Sequence, residues 1–154
     1  MSSHDSTHGA DDRYDLHRFV EAQQGIYECA LAEITRGDKR SHWMWFIFPQ
    51  LQGLGFSSTA QRYAISGLDE ARAYLNHPVL GPRLLECAEA ACQVEGRTAE
   101  AIFGGTDAMK LRSCATLFAQ VSPPGSVFER LLKKYYDGQP DAQTLRLLGL
   151  NVPE

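Results

Sequence analysis

The chain has 154 residues, of which 44% are hydrophobic, and this is enough for one domain with a single core. Its net charge of -4 and its dispersed basic residues disfavour a nucleic-acid binder, which usually presents a basic face. No apolar run approaches the roughly 20 residues that span a bilayer, and no secretory signal pattern opens the chain. We therefore expect a cytoplasmic protein.

The first predicted element is a tail followed by a helix. Residues 1–13 are mostly Ser, His, Asp and Gly, and we expect them to be disordered. Residues 14–150 are expected to form a single helical domain, with a short C-terminal tail at 151–154. Apolar residues recur at spacings of three and four over residues 16–34, which predicts one helix capped by Asp15 and ended by Gly37.

Residues 41–50, which we call the aromatic segment, contain both tryptophans and a histidine. Aromatic side chains of this size dominate core energetics, so much of the segment should be buried. Ser41 is placed to cap a short helix that Pro49 ends. The segment is too short for its pattern to decide between helix and strand, and both stay open.

Apolar residues at helical spacing predict further helices as far as residue 148. The predicted N-caps of these helices are Ser57 or Ser58, Ser66, Thr98, Ser126 and Asp141. No segment alternates with period two. The sequence therefore predicts an all-α domain of about seven to nine short helices.

The four cysteines, Cys29, Cys87, Cys92 and Cys114, form no C-x-x-C pair and no zinc-like spacing with histidine. Their surroundings in the sequence are apolar. We therefore expect reduced, buried thiols, with no metal site and no cofactor.

His42, with Trp43 and Trp45, is the first candidate for chemistry. On a helix His42 and Trp45 share one side, whereas Trp43 and Phe46 share another. One aromatic face would then lie in the core and the other would stack on a flat ligand. The alternative is that all of these side chains belong to the core, with His42 as a capping or satisfied interior histidine.

The stretch from residue 104 to residue 113 is the second candidate. Glycines before a helix expose backbone N–H groups that, with the helix dipole, favour an anion. Lys110 adds positive charge, and Ser113 lies one turn further along the same side. The spacing is not that of a P-loop. The alternative is an ordinary helix cap formed by Thr106 or Asp107.

Arg83, which follows His77-Pro78, is the third candidate. An arginine in the first turn of a helix opposes the helix dipole, which suggests a role in binding a carboxylate or phosphate. The alternative is a surface arginine that pairs with Glu86 or another nearby acid. Standard catalytic signatures are absent from the sequence.

The aromatic segment and several later motifs together resemble the bacterial domain-of-unknown-function 1810 family, over about residues 16–148. The matching residues are Lys39, 41–50, 53–55, 63–65, Tyr74-Leu75, His77-Pro78, Leu80-Gly81, Arg83-Leu84, 102–104, Asp107, Lys110-Leu111, Ser113 and 116–118. The resemblance implies a compact helical fold and no established activity. Members sometimes carry the label calpastatin, but calpastatin-type inhibitors are long disordered chains, unlike this one. A looser similarity, in fold alone, is to small helical domains proposed to act on NAD-derived and ADP-ribose compounds.

These features lead us to expect a pocket for a small phosphate-bearing aromatic ligand, such as a nucleotide or an ADP-ribose derivative, with or without its hydrolysis. His42 and Asp107 are the proton-transfer candidates. The candidate ligand-binding residues are Lys39, Ser41, Trp43, Trp45, Gln50, Tyr63, His77, Arg83, Lys110 and Ser113. The alternative is a noncatalytic protein–protein interaction module that presents a helical groove to a partner. The sequence makes no prediction of the oligomeric state.

Overall fold

The computed structural model describes residues 12–153, and within them it contains ten helices and one isolated β-bridge, between Leu51 and Ile65. The predicted all-α class is confirmed, and the number of helices slightly exceeds the predicted seven to nine. The helices are α1 His17–Gln23, α2 Tyr27–Arg36, α3 Met44–Ile47, α4 Ser58–Arg62, α5 Leu68–Asn76, α6 Leu80–Gln93, α7 Ala99–Phe103, α8 Gly105–Ala119, α9 Val127–Tyr136 and α10 Ala142–Leu147.

The predicted first helix is two helices, so that prediction is wrong. The chain breaks after α1 at Gly25, whose φ of 72° favours glycine, and α2 then ends at Gly37 as predicted. Asp15 does not cap α1. Instead, the carboxylate of Asp12 accepts hydrogen bonds from the first backbone N–H groups of that region. The predicted disordered tail lies outside the described residues except for Asp12 and Arg13.

The predicted N-caps Ser57, Thr98, Ser126 and Asp141 are confirmed, since each side chain accepts a bond from a backbone N–H three residues later. Ser41 and Ser66 are wrong as caps. Helix α3 starts after Trp43 and α5 starts after Gly67, and neither has a side-chain cap. Both serine hydroxyls instead donate to buried carboxylates, those of Glu33 and Glu70.

Helix α8 lies at the centre of the fold, with α5, α7, α9 and α10 packed around it. Its buried face carries Leu111, Cys114, Leu117 and Phe118. Helix α6 packs against α2, α5 and α9. It can approach α5 closely because Gly81 has no side chain. This arrangement places the first turn of α8 at the surface, close to the end of the aromatic segment.

The four cysteines are free thiols. Cys87 and Cys114 are buried as expected, and Cys92 is half-buried, but Cys29 is exposed. For Cys29 the prediction of a buried thiol is therefore wrong: the residue is exposed, and its Sγ donates to the carboxylate of Glu33 at 3.3 Å. None of the helices between residues 12 and 153 combines the length and the apolar character required to cross a membrane.

Candidate functional site

Trp43 is fully buried and bonded to a carboxylate. Its indole N–H donates to Oε1 of Glu33 at 2.9 Å, and Glu33 itself is only 3% exposed. A buried indole needs such a partner. Trp43 therefore has no face open to a ligand and belongs to the core.

Glu33 organises the loop between α2 and α3. Its carboxylate also accepts bonds from the backbone N–H groups of Arg40 and Ser41 and, at 2.6 Å, from the Ser41 hydroxyl. Burial alone would raise the pKa of Glu33, but these bonds and the one from Trp43 outweigh it and lower the pKa to about 2. Ser41 thus positions the loop. The sequence gives little sign of this, since Glu33 looks like an ordinary helical glutamate.

Asp107, in the first turn of α8, forms ion pairs with two lysines that are far from each other in the sequence. Its Oδ2 lies 2.9 Å from Nζ of Lys39 and its Oδ1 lies 3.2 Å from Nζ of Lys110. The Lys39 side chain is 7% exposed and sits over the ring of Trp43, whereas Lys110 sits over the ring of Trp45. Both oxygens of Asp107 are therefore occupied by ammonium groups, and the aromatic segment is fastened to α8.

A cleft of about 340 Å³ lies beside this bridge. Four of the predicted site residues line it, namely Trp45, Gln50, Lys110 and Ser113. Tyr63 lines a small adjoining pocket that also includes Trp45 and Gln50. Thr106 and Met109, from the second candidate stretch, also line the cleft, and the lining residues that the sequence did not indicate are Leu54, Gly55, Ala60, Asp141 and Gln143.

The first turn of α8 has no capping side chain, and one of its residues borders this cleft. Gly104 precedes the helix with φ 85°, and no side chain accepts a bond from the first backbone N–H groups. Thr106, in this turn, lines the cleft. The predicted Thr or Asp cap is therefore not what the structure shows. An uncapped helix start carries partial positive charge, and here the helix has 15 residues.

Besides Lys39, Ser41, Trp43, Tyr63 and Asp107, described above, the predicted site residues His42, His77 and Arg83 do not line the cleft. His42 is exposed and does not line it. The Nδ1 atom of His77 accepts bonds from the backbone N–H groups of Val79 and Leu80, so His77 caps α6, and desolvation lowers its pKa. Arg83 lines a separate cleft. In the part of the chain that the structure describes, no group of three or more His, Cys, Asp or Glu side chains is placed to hold a metal ion.

Comparison with known proteins supports a single family. The family model described as a protein of unknown function (DUF1810) matches residues 13–148. The crystal structure of the conserved hypothetical protein Rv1873 from Mycobacterium tuberculosis is similar, with 52% sequence identity and a TM-score of 0.86, over 89% of this chain and 98% of that one. No curated protein matches the chain. The chain belongs to the DUF1810 family.

Proposed function

We propose that the cleft between Trp45 and the start of α8 binds a small molecule that carries a flat ring and a phosphate-type anion, such as a nucleotide or an ADP-ribose derivative. The observation that carries this proposal is that Trp45, Lys110 and Thr106, which belongs to the uncapped first turn of α8, line one cleft. These three features recognise the two ends of such a ligand.

The ring end of the ligand would contact Trp45. This side chain is only partly buried, although tryptophan is usually well covered in a folded domain. Gln50 lies beside it, and its main-chain carbonyl accepts a bond from the N–H of Ile65, which holds the segment in place. A rigid aromatic wall next to an amide suits a heteroaromatic ring.

The anionic end would meet Lys110 and the N–H groups of the α8 first turn. Lys110 is held by Asp107 and by the ring of Trp45, and part of its side chain stays open to the cleft. The hydroxyl of Thr106 adds a donor at the same place. Since Asp107 is matched by two lysines, this cluster of three charges has a net positive charge, and the carboxylate of Asp141, which also lines the cleft, is bonded to Thr144 as the cap of α10.

Binding without turnover is the form of the proposal that the geometry favours. Asp107 has both oxygens engaged by lysines, and His42 lies outside the cleft. Neither side chain is therefore placed to move a proton at a ligand in the cleft. A cytoplasmic location, where such metabolites are abundant, is part of the same proposal.

Isothermal titration calorimetry of the full chain tests the proposal, with adenosine, AMP and ADP-ribose as probes. We expect Lys110→Met to weaken the binding of AMP and ADP-ribose roughly tenfold or more, because a charge-assisted hydrogen bond is lost. The affinity for adenosine should change little. Trp45→Leu should weaken the binding of all three probes. Lys133→Met, which removes an exposed lysine on α9, is the matched control. Absence of binding by every probe, or equal losses for Lys110→Met and Lys133→Met, would refute the proposal.

A noncatalytic interaction module is the second candidate, because two large apolar side chains are largely exposed close to the cleft. Met109 lines it, and Phe56 follows Gly55 in the loop that borders it. Exposed apolar side chains that cluster often mark protein interfaces. Phe56→Ser distinguishes the two candidates: nucleotide affinity should be unchanged if the cleft binds the small molecule, whereas binding to a partner protein would be lost if the apolar rim is the function.

A further inference from the structure

Arg83 lies in a second cleft, of about 400 Å³, built from other elements than the first. The end of α1 contributes Gln23, the turn after it contributes Gln24 and Gly25, and the start of α2 contributes Tyr27 and Glu28. Arg83 enters from the first turn of α6. None of these residues lines the cleft beside Trp45. The second cleft is therefore a separate candidate site.

The guanidinium of Arg83 is held in one orientation. It stacks over the ring of Tyr27, 4.7 Å from the ring centroid, and its Nη1 donates to Oε1 of Gln23 at 3.1 Å. Gln23 is itself buried, and its amide nitrogen donates to the carbonyl oxygen of Phe46 and to the hydroxyl of Tyr74. Because every supporting contact is fixed by a neighbour, the guanidinium is preorganised.

The other edge of the guanidinium has no partner among residues 12–153. No acceptor meets Nε or Nη2, and Arg83 forms no salt bridge there. Glu86, which the sequence suggested as a partner, instead accepts a hydrogen bond from the Tyr27 hydroxyl. A half-buried guanidinium is normally paired. The open Nε and Nη2 edge is a fork of two parallel donors, which is the geometry that binds a carboxylate bidentately.

Glu28 indicates which class of ligand fits the second cleft. It lines the same cleft and is exposed, so its carboxylate is free to meet a cation. A dianion such as phosphate would be repelled by Glu28, whereas a molecule with both a carboxylate and an ammonium group would match both side chains.

We propose that the second cleft binds a small zwitterion of the amino-acid class, with its carboxylate on Nε and Nη2 of Arg83 and its ammonium group toward Glu28. The stacking on Tyr27 and the bond to Gln23 hold the guanidinium at the wall of the cleft in the absence of ligand.

NMR of the ¹⁵N-labelled full chain tests this proposal, with alanine, propionate and inorganic phosphate as probes. We expect saturable shifts of the Arg83 Nε–H and Gln23 side-chain amide signals with alanine, and roughly tenfold weaker binding of propionate, which lacks the ammonium group. Phosphate should bind no better than propionate. Glu28→Gln should remove the advantage of alanine over propionate. The Trp45 indole signal should not move, so this result is independent of the first cleft.

Arg83→Lys should weaken the binding of alanine roughly tenfold or more, because a lysine cannot form the bidentate pair with a carboxylate. Arg36→Lys, at an exposed position in the last turn of α2, is the matched control and should change nothing. The unsubstituted chain decides the proposal even if Arg83→Lys does not fold. Absence of a saturable Arg83 shift with alanine, binding of propionate or phosphate as tight as that of alanine, or an equal effect of Arg36→Lys would overturn it.

Discussion

Replacing Glu33 by glutamine is expected to destabilise the fold by about 3 kcal/mol at pH 7. The carboxylate accepts bonds from the backbone N–H groups of Arg40 and Ser41, the hydroxyl of Ser41 and the indole of Trp43. These bonds overcome the effect of burial and lower its pKa from 4.5 to about 2. Since each pKa unit is worth about 1.4 kcal/mol, the bonds favour the ionised folded form by about 3 kcal/mol. Glutamine removes the charge and turns an N–H group toward these donors.

The pH dependence of this destabilisation follows from the direction in which the pKa of Glu33 is shifted. A carboxylate whose pKa is lowered in the folded state stabilises that state above its unfolded pKa, near 4.5, and loses this contribution as the pH falls toward 2. The deficit of Glu33→Gln should therefore be full at pH 7 and smaller at pH 3. For a domain of this size the deficit at pH 7 corresponds to a decrease in Tm of about 6–12 °C.

Urea unfolding followed by circular dichroism measures this deficit. Glu95→Gln is the matched control, because the Glu95 carboxylate is 90% exposed and contacts Lys134 at 3.7 Å, which contributes about 0–1 kcal/mol. The reasoning is refuted if Glu33→Gln is as stable as the unsubstituted chain at pH 7, or if its deficit is equally large at pH 3.

Three further predictions concern the packing of the domain. Gly81→Ala should lower the free energy of unfolding by about 2 kcal/mol or more, because a Cβ there would lie 2.0 Å from a carbonyl oxygen of α5. An unchanged Tm would contradict this close packing. Asp107→Asn should cost about 2–3 kcal/mol, since it leaves a buried lysine unpaired, whereas Asp69→Asn at an exposed pair should cost about 0–1 kcal/mol in the same urea experiment. Equal costs would argue against the bridge. Cys29 should react with a maleimide in the folded protein and Cys114 only after unfolding, as mass spectrometry of labelled peptides would show; labelling of both at equal rates would contradict the burial of Cys114.

Local signals in the sequence predict much of the fold. Helical spacing of apolar residues identifies the class, and the caps Thr98, Ser126 and Asp141 are predictable because an N-cap bonds to an N–H only three residues away. The break at Gly25 is harder to predict, since the same apolar spacing continues on both sides of it and a single glycine is tolerated within helices.

Predictions of the site are limited by contacts between distant residues. Trp45 and Lys110 are 65 positions apart, and only the tertiary fold brings the ammonium group over the indole. Trp43 and Trp45 look equivalent in the sequence, but the carboxylate of Glu33 holds one inside while the other borders a cleft. Arg83 carries a recognisable signal, its position in a helix first turn, yet its cleft depends on the turn between α1 and α2.

The indole N–H signals of the two tryptophans test the central claim most directly. In a ¹H–¹⁵N spectrum of the full chain titrated with ADP-ribose, the Trp45 signal should move and saturate together with the backbone N–H of Thr106. The Trp43 signal should stay in place, because its indole is bonded to Glu33 inside the core. A Trp45 signal that does not respond to ADP-ribose or AMP, or a response confined to residues outside the cleft, would contradict the proposed binding site.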